Sequence, residues 1–196
     1  MADKITEKPR CSWCGSDPLY VNYHDTEWGV PVYDDQKLFE FLVLETFQAG
    51  LSWITVLRKR ENFRRAFDNF DPVKIAGYGS QKVASLLADE GIIRNRLKVS
   101  ATISNAHAFL AIQQEHGRFS TFLWDFVGGE PIHNTYHQLS KVPAHTAQSA
   151  AMSKALKQKG FKFVGTTVMY AFMQATGMVN DHVLDCYRYA ELNPNA

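Results

Sequence analysis

Gly160-Phe161-Lys162-Phe163-Val164-Gly165 stands between two helical patterns, at 149–158 and 166–175. Glycine at both ends lets the chain reverse sharply, so the stretch predicts a helix, a tight hairpin and a second helix. In such a turn the backbone around Gly160, Lys162, Gly165 and Thr166, together with nearby lysines, can meet phosphates without reading bases. An ordinary αα-hairpin has the same glycine spacing, so the turn alone leaves both readings open.

Working outward, the remaining periodicity is helical too. Helices are expected over 36–47 with Asp35 as N-cap, over 55–70 stopped by Asp71-Pro72, and over 73–76. Further ones follow over 81–89 with Gly91 at the C′ position, over 95–114, and over 119–127 ended by Gly128-Gly129. Residues 130–146, which include His133, His137 and His145, show little periodicity and read as a loop with surface histidines. No repeat and no convincing strand alternation interrupts this pattern, so the fold class is all-α.

The 196 residues are 45% hydrophobic and 13% aromatic, the make-up of a folded globule with an adequate core. A net charge of +1 says little about an acidic partner. Two local clusters say more: Arg58-Lys59-Arg60 with Arg64-Arg65, and Lys154, Lys157, Lys159 and Lys162. No run approaches the roughly 20 apolar residues of a membrane span, and residues 1–10 are polar without a signal region. A soluble, cytoplasmic monomer is expected, with 1–9 a polar leader, 10–190 one unit and 191–196 a tail.

The stretch Glu45-Thr-Phe-Gln-Ala-Gly-Leu-Ser-Trp53 puts a carboxylate among Leu42, Val43, Leu44 and Phe47, where burial strips its hydration and calls for a donor. The alternative is that Glu45 points to solvent near a helix end. Gly50 permits a sharp turn, Leu51 follows at a loop tip, and Trp53 offers a flat face. Upstream, Trp13, Tyr20, Tyr23 and Trp28 crowd a segment rich in turn-formers, where they make a local core or line a pocket for a flat ligand.

Cys11, Cys14 and Cys186 are too few for a disulfide framework and suit a reducing compartment or a metal. His182 and Cys186 are four apart, one face of a helix if that segment is helical, and form half of a possible Zn²⁺ site. Cys11 and His24 are natural candidates for the other half, and Cys14 is an equally legal donor. Four protein ligands would make the zinc structural.

Together, Cys11, the run from Asp17 to Gly29, Gln48-Ala-Gly-Leu-Ser-Trp-Ile-Thr-Val-Leu57, the Gly160–Gly165 turn and Asn180-Asp-His182 closely resemble the DNA-3-methyladenine glycosylase I family. The resemblance runs from Arg10 to Cys186. It implies a helix-hairpin-helix glycosylase that extrudes 3-methyladenine from double-stranded DNA, hydrolyses its N-glycosidic bond and releases the free base. It implies zinc ligands Cys11, His24, His182 and Cys186, with Cys14 an extra thiol, so that the metal ties the N- and C-terminal segments. Glu45 matches the base-recognising carboxylate. Tyr20, Tyr23, Trp28 and Trp53 match the aromatic pocket, with Trp13 near it, and Gln48, Gly50 and Leu51 match the loop at the gap left by the nucleotide.

Two departures from the wider helix-hairpin-helix group bear on chemistry. Thr167 stands where bifunctional relatives carry a Schiff-base lysine, so no lyase step is expected. Asn180 stands where most relatives carry a catalytic aspartate, so Glu45 is expected mainly to recognise. The competing readings are a non-catalytic DNA-binding module and a hydrolase built on an open zinc at His24 and His182.

Overall fold

The computed structural model describes residues 8–193. Residues 1–7 and 194–196, most of the expected leader and tail, lie outside the described residues. The described chain is mostly helical: Pro18–Thr26 (α1), Asp35–Gln48 (α2), Trp53–Ala66 (α3), Pro72–Ala76 (α4), Ser80–Ala88 (α5), Arg96–His116 (α6), Phe119–Trp124 (α7), Ala147–Gln158 (α8), Thr166–Ala175 (α9) and Tyr187–Leu192 (α10). The expected tail therefore begins inside α10.

Helix α2 is the centre of the molecule. Residues 38–47 are buried without interruption, as expected of a helix that is covered on every face. Phe39 packs on Phe109 of α6 at 5.0 Å, and Phe47 on Phe63 of α3 at 4.7 Å. Each such side chain contributes roughly 1.5–3 kcal/mol of apolar burial. Because α2 is held from all sides, its C-terminal turn, which carries Glu45 and Gln48, is a rigid mount.

Several local expectations need correction. Asp34, not Asp35, caps α2 by accepting from Lys37 N at 2.8 Å. Asp35 turns away to cap the next unit, accepting from the backbone N–H groups of Phe119 and Ser120, both at 2.8 Å. The helix expected to reach Phe70 stops at Ala66, and Asp68, Asn69 and Phe70 follow in left-handed conformation, which drives Phe70 into the core. Gly91 is not a C′ residue; α5 ends at Ala88 with Asp89 as its C-cap, and a Cβ on Gly91 would meet Asp89 and Asn62.

The first basic cluster reaches the surface at Arg58 and Arg65, but three of its five cations are ion-paired. Arg60 is buried, giving Nε to Glu40 at 2.6 Å and Nη1 to Glu27 at 2.8 Å, while Arg64 reaches Glu40 at 2.7 Å and Arg58 reaches Asp17 at 2.7 Å. In the second cluster Lys159 pairs with Glu115, but Lys154, Lys157 and Lys162 are exposed and form no ion pair among the described residues.

One short ladder departs from a purely helical description. Ile132–His133 (β1) pairs in parallel with Val179–Asn180 (β2), in register Ile132 to Val179 and His133 to Asn180. This pairing leaves His133 half-buried beside Asn180 rather than on the surface, whereas His137 and His145 are exposed. The hairpin between α8 and α9 falls where the glycines place it. Gly160 and Phe163 are left-handed, and Thr146 and Ser149 form a capping box at the start of α8.

Candidate active site and metal cluster

A cavity of about 420 Å³ opens where α1, the end of α2, the start of α3 and one face of α9 converge. The 3₁₀ turn Ser12–Cys14 brings Trp13 to it, α1 brings Tyr20 and Tyr23, and Trp28 follows directly after α1. Trp53, the first residue of α3, faces Tyr23 at 5.4 Å between ring centroids. Trp13 lies 5.0 Å from both Tyr20 and Trp28. All five aromatics singled out in the sequence thus line one pocket.

Glu45 sits in this pocket and is 3% exposed, so it does not point to solvent. No side-chain or backbone donor reaches it among the described residues, and Oε2 is buried without a partner. Burial alone pushes its carboxyl up to about 8. Sequence reasoning called for a donor here, and the fold supplies none. The indole N–H groups of Trp13 and Trp53 are buried and unpartnered as well. An acceptor and two donors are left open between aromatic faces, an arrangement suited to a flat ligand that brings its own donors and positive charge.

Gln48 lines the cavity, and Gly50, at φ +85°, carries the chain into Leu51, which is 44% exposed beyond the end of α2. The hairpin residues Gly160, Lys162 and Gly165 lie outside the cavity lining; Thr167, one residue after Thr166, reaches it from α9.

Sequence reasoning missed two groups on α6. Lys98, nearly buried, gives Nζ to the carbonyls of Phe47 at 2.9 Å and Ala49 at 2.7 Å, capping the end of α2. Asn105, two turns on, clamps the hairpin tip: Lys162 N donates to Oδ1 at 2.7 Å, and Nδ2 donates to Lys162 O at 3.1 Å. One helix therefore fixes the Gly50-Leu51 loop and the hairpin relative to each other. Two polar residues seven apart on the inward face of α6 were the available signal. Also missed were Tyr170, Gln174 and Asp181 on the far wall of the pocket.

Cys11, His24, His182 and Cys186 are buried, with donor atoms all within 4.8 Å of one another. Cys186 Sγ is 3.4 Å from His24 Nε2 and 3.4 Å from His182 Nδ1, and Cys11 Sγ is 3.6 Å from His182 Nδ1. The opposite ring nitrogens are engaged outside the cluster: His24 Nδ1 on Asp25 Oδ1 at 2.8 Å, and His182 Nε2 on the Trp28 carbonyl at 3.1 Å. Each imidazole therefore turns a lone pair toward the sulfurs. The hydrogen bond between the two thiols lowers Cys186 below its ordinary value and raises Cys11. The set can hold one metal ion. Cys14 stands apart, its Sγ on the Cys11 carbonyl at 3.1 Å. The 182–186 segment is a turn rather than a helix, closed by Cys186 N on Val183 O at 2.8 Å.

The cluster and the pocket share a wall. Trp28 packs edge-on against His182 at 4.6 Å, and Trp13 lies 5.3 Å from His24.

Fold and site together define a helical protein with an aromatic-lined pocket around a buried, unpartnered carboxyl group. The chain belongs to the methyladenine glycosylase family, whose sequence pattern matches residues 13–189. It is 54% identical over 185 residues to DNA-3-methyladenine glycosylase 1 of Escherichia coli (strain K12), covering 94% of this chain and 99% of that protein. It is 50% identical over 177 residues to DNA-3-methyladenine glycosylase of Haemophilus influenzae, covering 90% and 96%. The solved structure of 3-methyladenine DNA glycosylase I from Staphylococcus aureus, described as the structural basis of 3-methyladenine recognition, superposes with a TM-score of 0.88 at 39% identity, over 91% of this chain and 95% of that one.

Proposed function

We propose that this protein is a monofunctional DNA glycosylase that excises 3-methyladenine from alkylated double-stranded DNA by hydrolysing the N-glycosidic bond, a step of base excision repair. The observation that carries the reading is Glu45, a buried carboxylate without a protein donor in a pocket walled by aromatics. Methylation at N3 makes the purine cationic, so it stacks on electron-rich rings and is already a good leaving group. Glu45 accepts from the exocyclic N6 amino group, which the positive charge of the methylated base makes a stronger donor than in unmodified adenine. Thr167 offers no amine at the pocket mouth, consistent with hydrolysis without a lyase step.

In this reading α8, the Gly160–Gly165 turn and α9 form the helix-hairpin-helix grip on the phosphates. Lys162 and Thr166 lie at its contact face, and the unpaired Lys154 and Lys157 lie on the helix leading into it. Gln48, Gly50 and Leu51 fill the gap left by the extruded nucleotide. Residues 10–190 act as one unit, working as a monomer.

Zinc suits the Cys₂His₂ set. Around a tetrahedral Zn²⁺ the ligand atoms stand about 3.4–3.8 Å apart, and the three S···N spacings of 3.4–3.6 Å match, within a set that spans 4.8 Å. Cys11, His24, His182 and Cys186 would hold the ion as a closed, structural site; its contribution is a cross-link between the chain ends. The open-zinc hydrolase loses support, because four buried donors would complete the coordination of a bound zinc.

Incubation of purified, folded protein with methylated DNA, followed by chromatography of released bases, tests the function. Release of 3-methyladenine and not of 7-methylguanine is expected. Folded protein that binds the DNA but releases no base would favour the damage-binding module.

A further inference from the structure

The pocket holds a second buried carboxylate that base recognition does not use. Asp181 is 1% exposed and lines the wall beside α9. Its oxygens are filled by neutral donors: Asn134 Nδ2 on Oδ1 at 2.7 Å, and Tyr170 OH at 2.6 Å with Gln174 Nε2 at 2.8 Å on Oδ2. No lysine, arginine or histidine pairs with it among the described residues. Its neighbour Asn180 is turned elsewhere, donating to the Tyr189 carbonyl at 3.2 Å and accepting from His182 N at 3.3 Å. The β1–β2 ladder thus aims residue 181, and not 180, at the cavity.

We propose that Asp181 stabilises the positive charge that develops on the deoxyribose. This rests on the reading of the cavity as a base receptor and of the hairpin as the phosphate grip. With the base against Glu45 and the phosphates at the start of α9, the sugar that joins them passes along the α9 wall, where Thr167, Tyr170, Gln174 and Asp181 lie.

The charge bookkeeping shows why a fixed anion is useful there. As the C1′–N9 bond breaks, its electron pair goes to the purine, which leaves as neutral 3-methyladenine. The positive charge moves to the sugar as an oxocarbenium ion. Water then forms the new C1′–O bond and gives its proton to solvent. A carboxylate already oriented by three donors need not reorganise as the charge arrives, and because Asp181 is buried its field is only weakly screened. Asp181 strengthens its interaction as charge migrates from base to sugar, and so favours the transition state over the bound substrate.

Two abasic duplexes separate this role from a merely structural one, one with a cationic pyrrolidine ring and one with a neutral tetrahydrofuran ring, each titrated with free 3-methyladenine present. Wild type is expected to prefer the cationic ring by about tenfold or more. Asp181→Asn is expected to bring the ratio close to one and to slow single-turnover base release by about a hundredfold. Its affinity for free 3-methyladenine should change by less than about twofold, because the neutral base does not carry the sugar's charge. A structural role would lower stability and leave the ratio intact. Folded Asp181→Asn protein that keeps both ratio and release rate overturns the proposal, as does a wild type without the preference. Should Asp181→Asn fail to fold, Asn134→Ala decides: withdrawing the donor on Oδ1 should reduce the preference about threefold, and an unchanged ratio would refute the assignment. Failure of wild type to release 3-methyladenine would instead strike at the function itself.

Discussion

Glu45 concentrates the conflict between stability and function in one side chain. Its carboxyl is pushed from an ordinary value near 4.5 up to about 8 by burial. Between those values the native protein holds a proton that the unfolded chain has lost, so stability falls as pH rises through this window, and the penalty is complete above pH 8. Glu45→Gln should therefore be more stable than wild type by up to about 3 kcal/mol near pH 7. The gain should fade toward pH 4.5; thermal midpoints across this range check it, and a pH-independent difference would contradict the assignment. The oddity of Glu45 was legible from its apolar neighbours. Its lack of a donor was not, because donors arrive from segments remote in sequence. Arg60 shows the same limit in reverse: within a basic run it looks exposed, yet Glu27 and Glu40 draw it inside.

At the level of elements, periodicity and turn chemistry located most helices, and the hairpin could be placed to within a residue because glycine conformations are local. The ending of α3 was illegible, since burial of Phe70 overrides local signals, whereas α5 ended within a residue of its expected place and only the role of Gly91, packed on Asn62, was misread. Helix α6 read as an ordinary amphipathic helix, but Lys98 and Asn105 give it the task of spacing two loops. Asn105→Ala leaves the Lys162 main chain unclamped. It should weaken affinity for abasic DNA about tenfold, while free 3-methyladenine binds within about twofold of wild type. Parallel titrations check this, and an equal loss for both ligands would mean that Asn105 supports the pocket rather than the hairpin.

For the molecule as a whole, the segments around Cys11 and Cys186 are joined next to the pocket. Tyr187 N donates to the Pro9 carbonyl at 3.0 Å, Arg10 pairs with Asp25 at 2.8 Å, and the Cys₂His₂ cluster lies against Trp13 and Trp28. Metal removal should therefore cost stability before it affects chemistry, lowering the unfolding midpoint by about 10 °C or more. Calorimetry and base release on the same chelated samples check this; activity lost while the midpoint holds would point to a metal in the reaction. The ligand set could be proposed from residue types and resemblance, but its support of the pocket wall could not, because contact between His182 and Trp28 is a product of the fold. The central claim is that Glu45 recognises the cationic base while the base's own charge supplies the driving force for departure. The most direct measurement is a paired one on Glu45→Gln: affinity for duplex DNA carrying the cationic 3-methyladenine nucleotide, and the single-turnover rate at saturating DNA. The account predicts that binding weakens by about 10- to 100-fold while the saturated rate changes far less. Intact binding with a lost chemical step would contradict it and make Glu45 part of the chemistry.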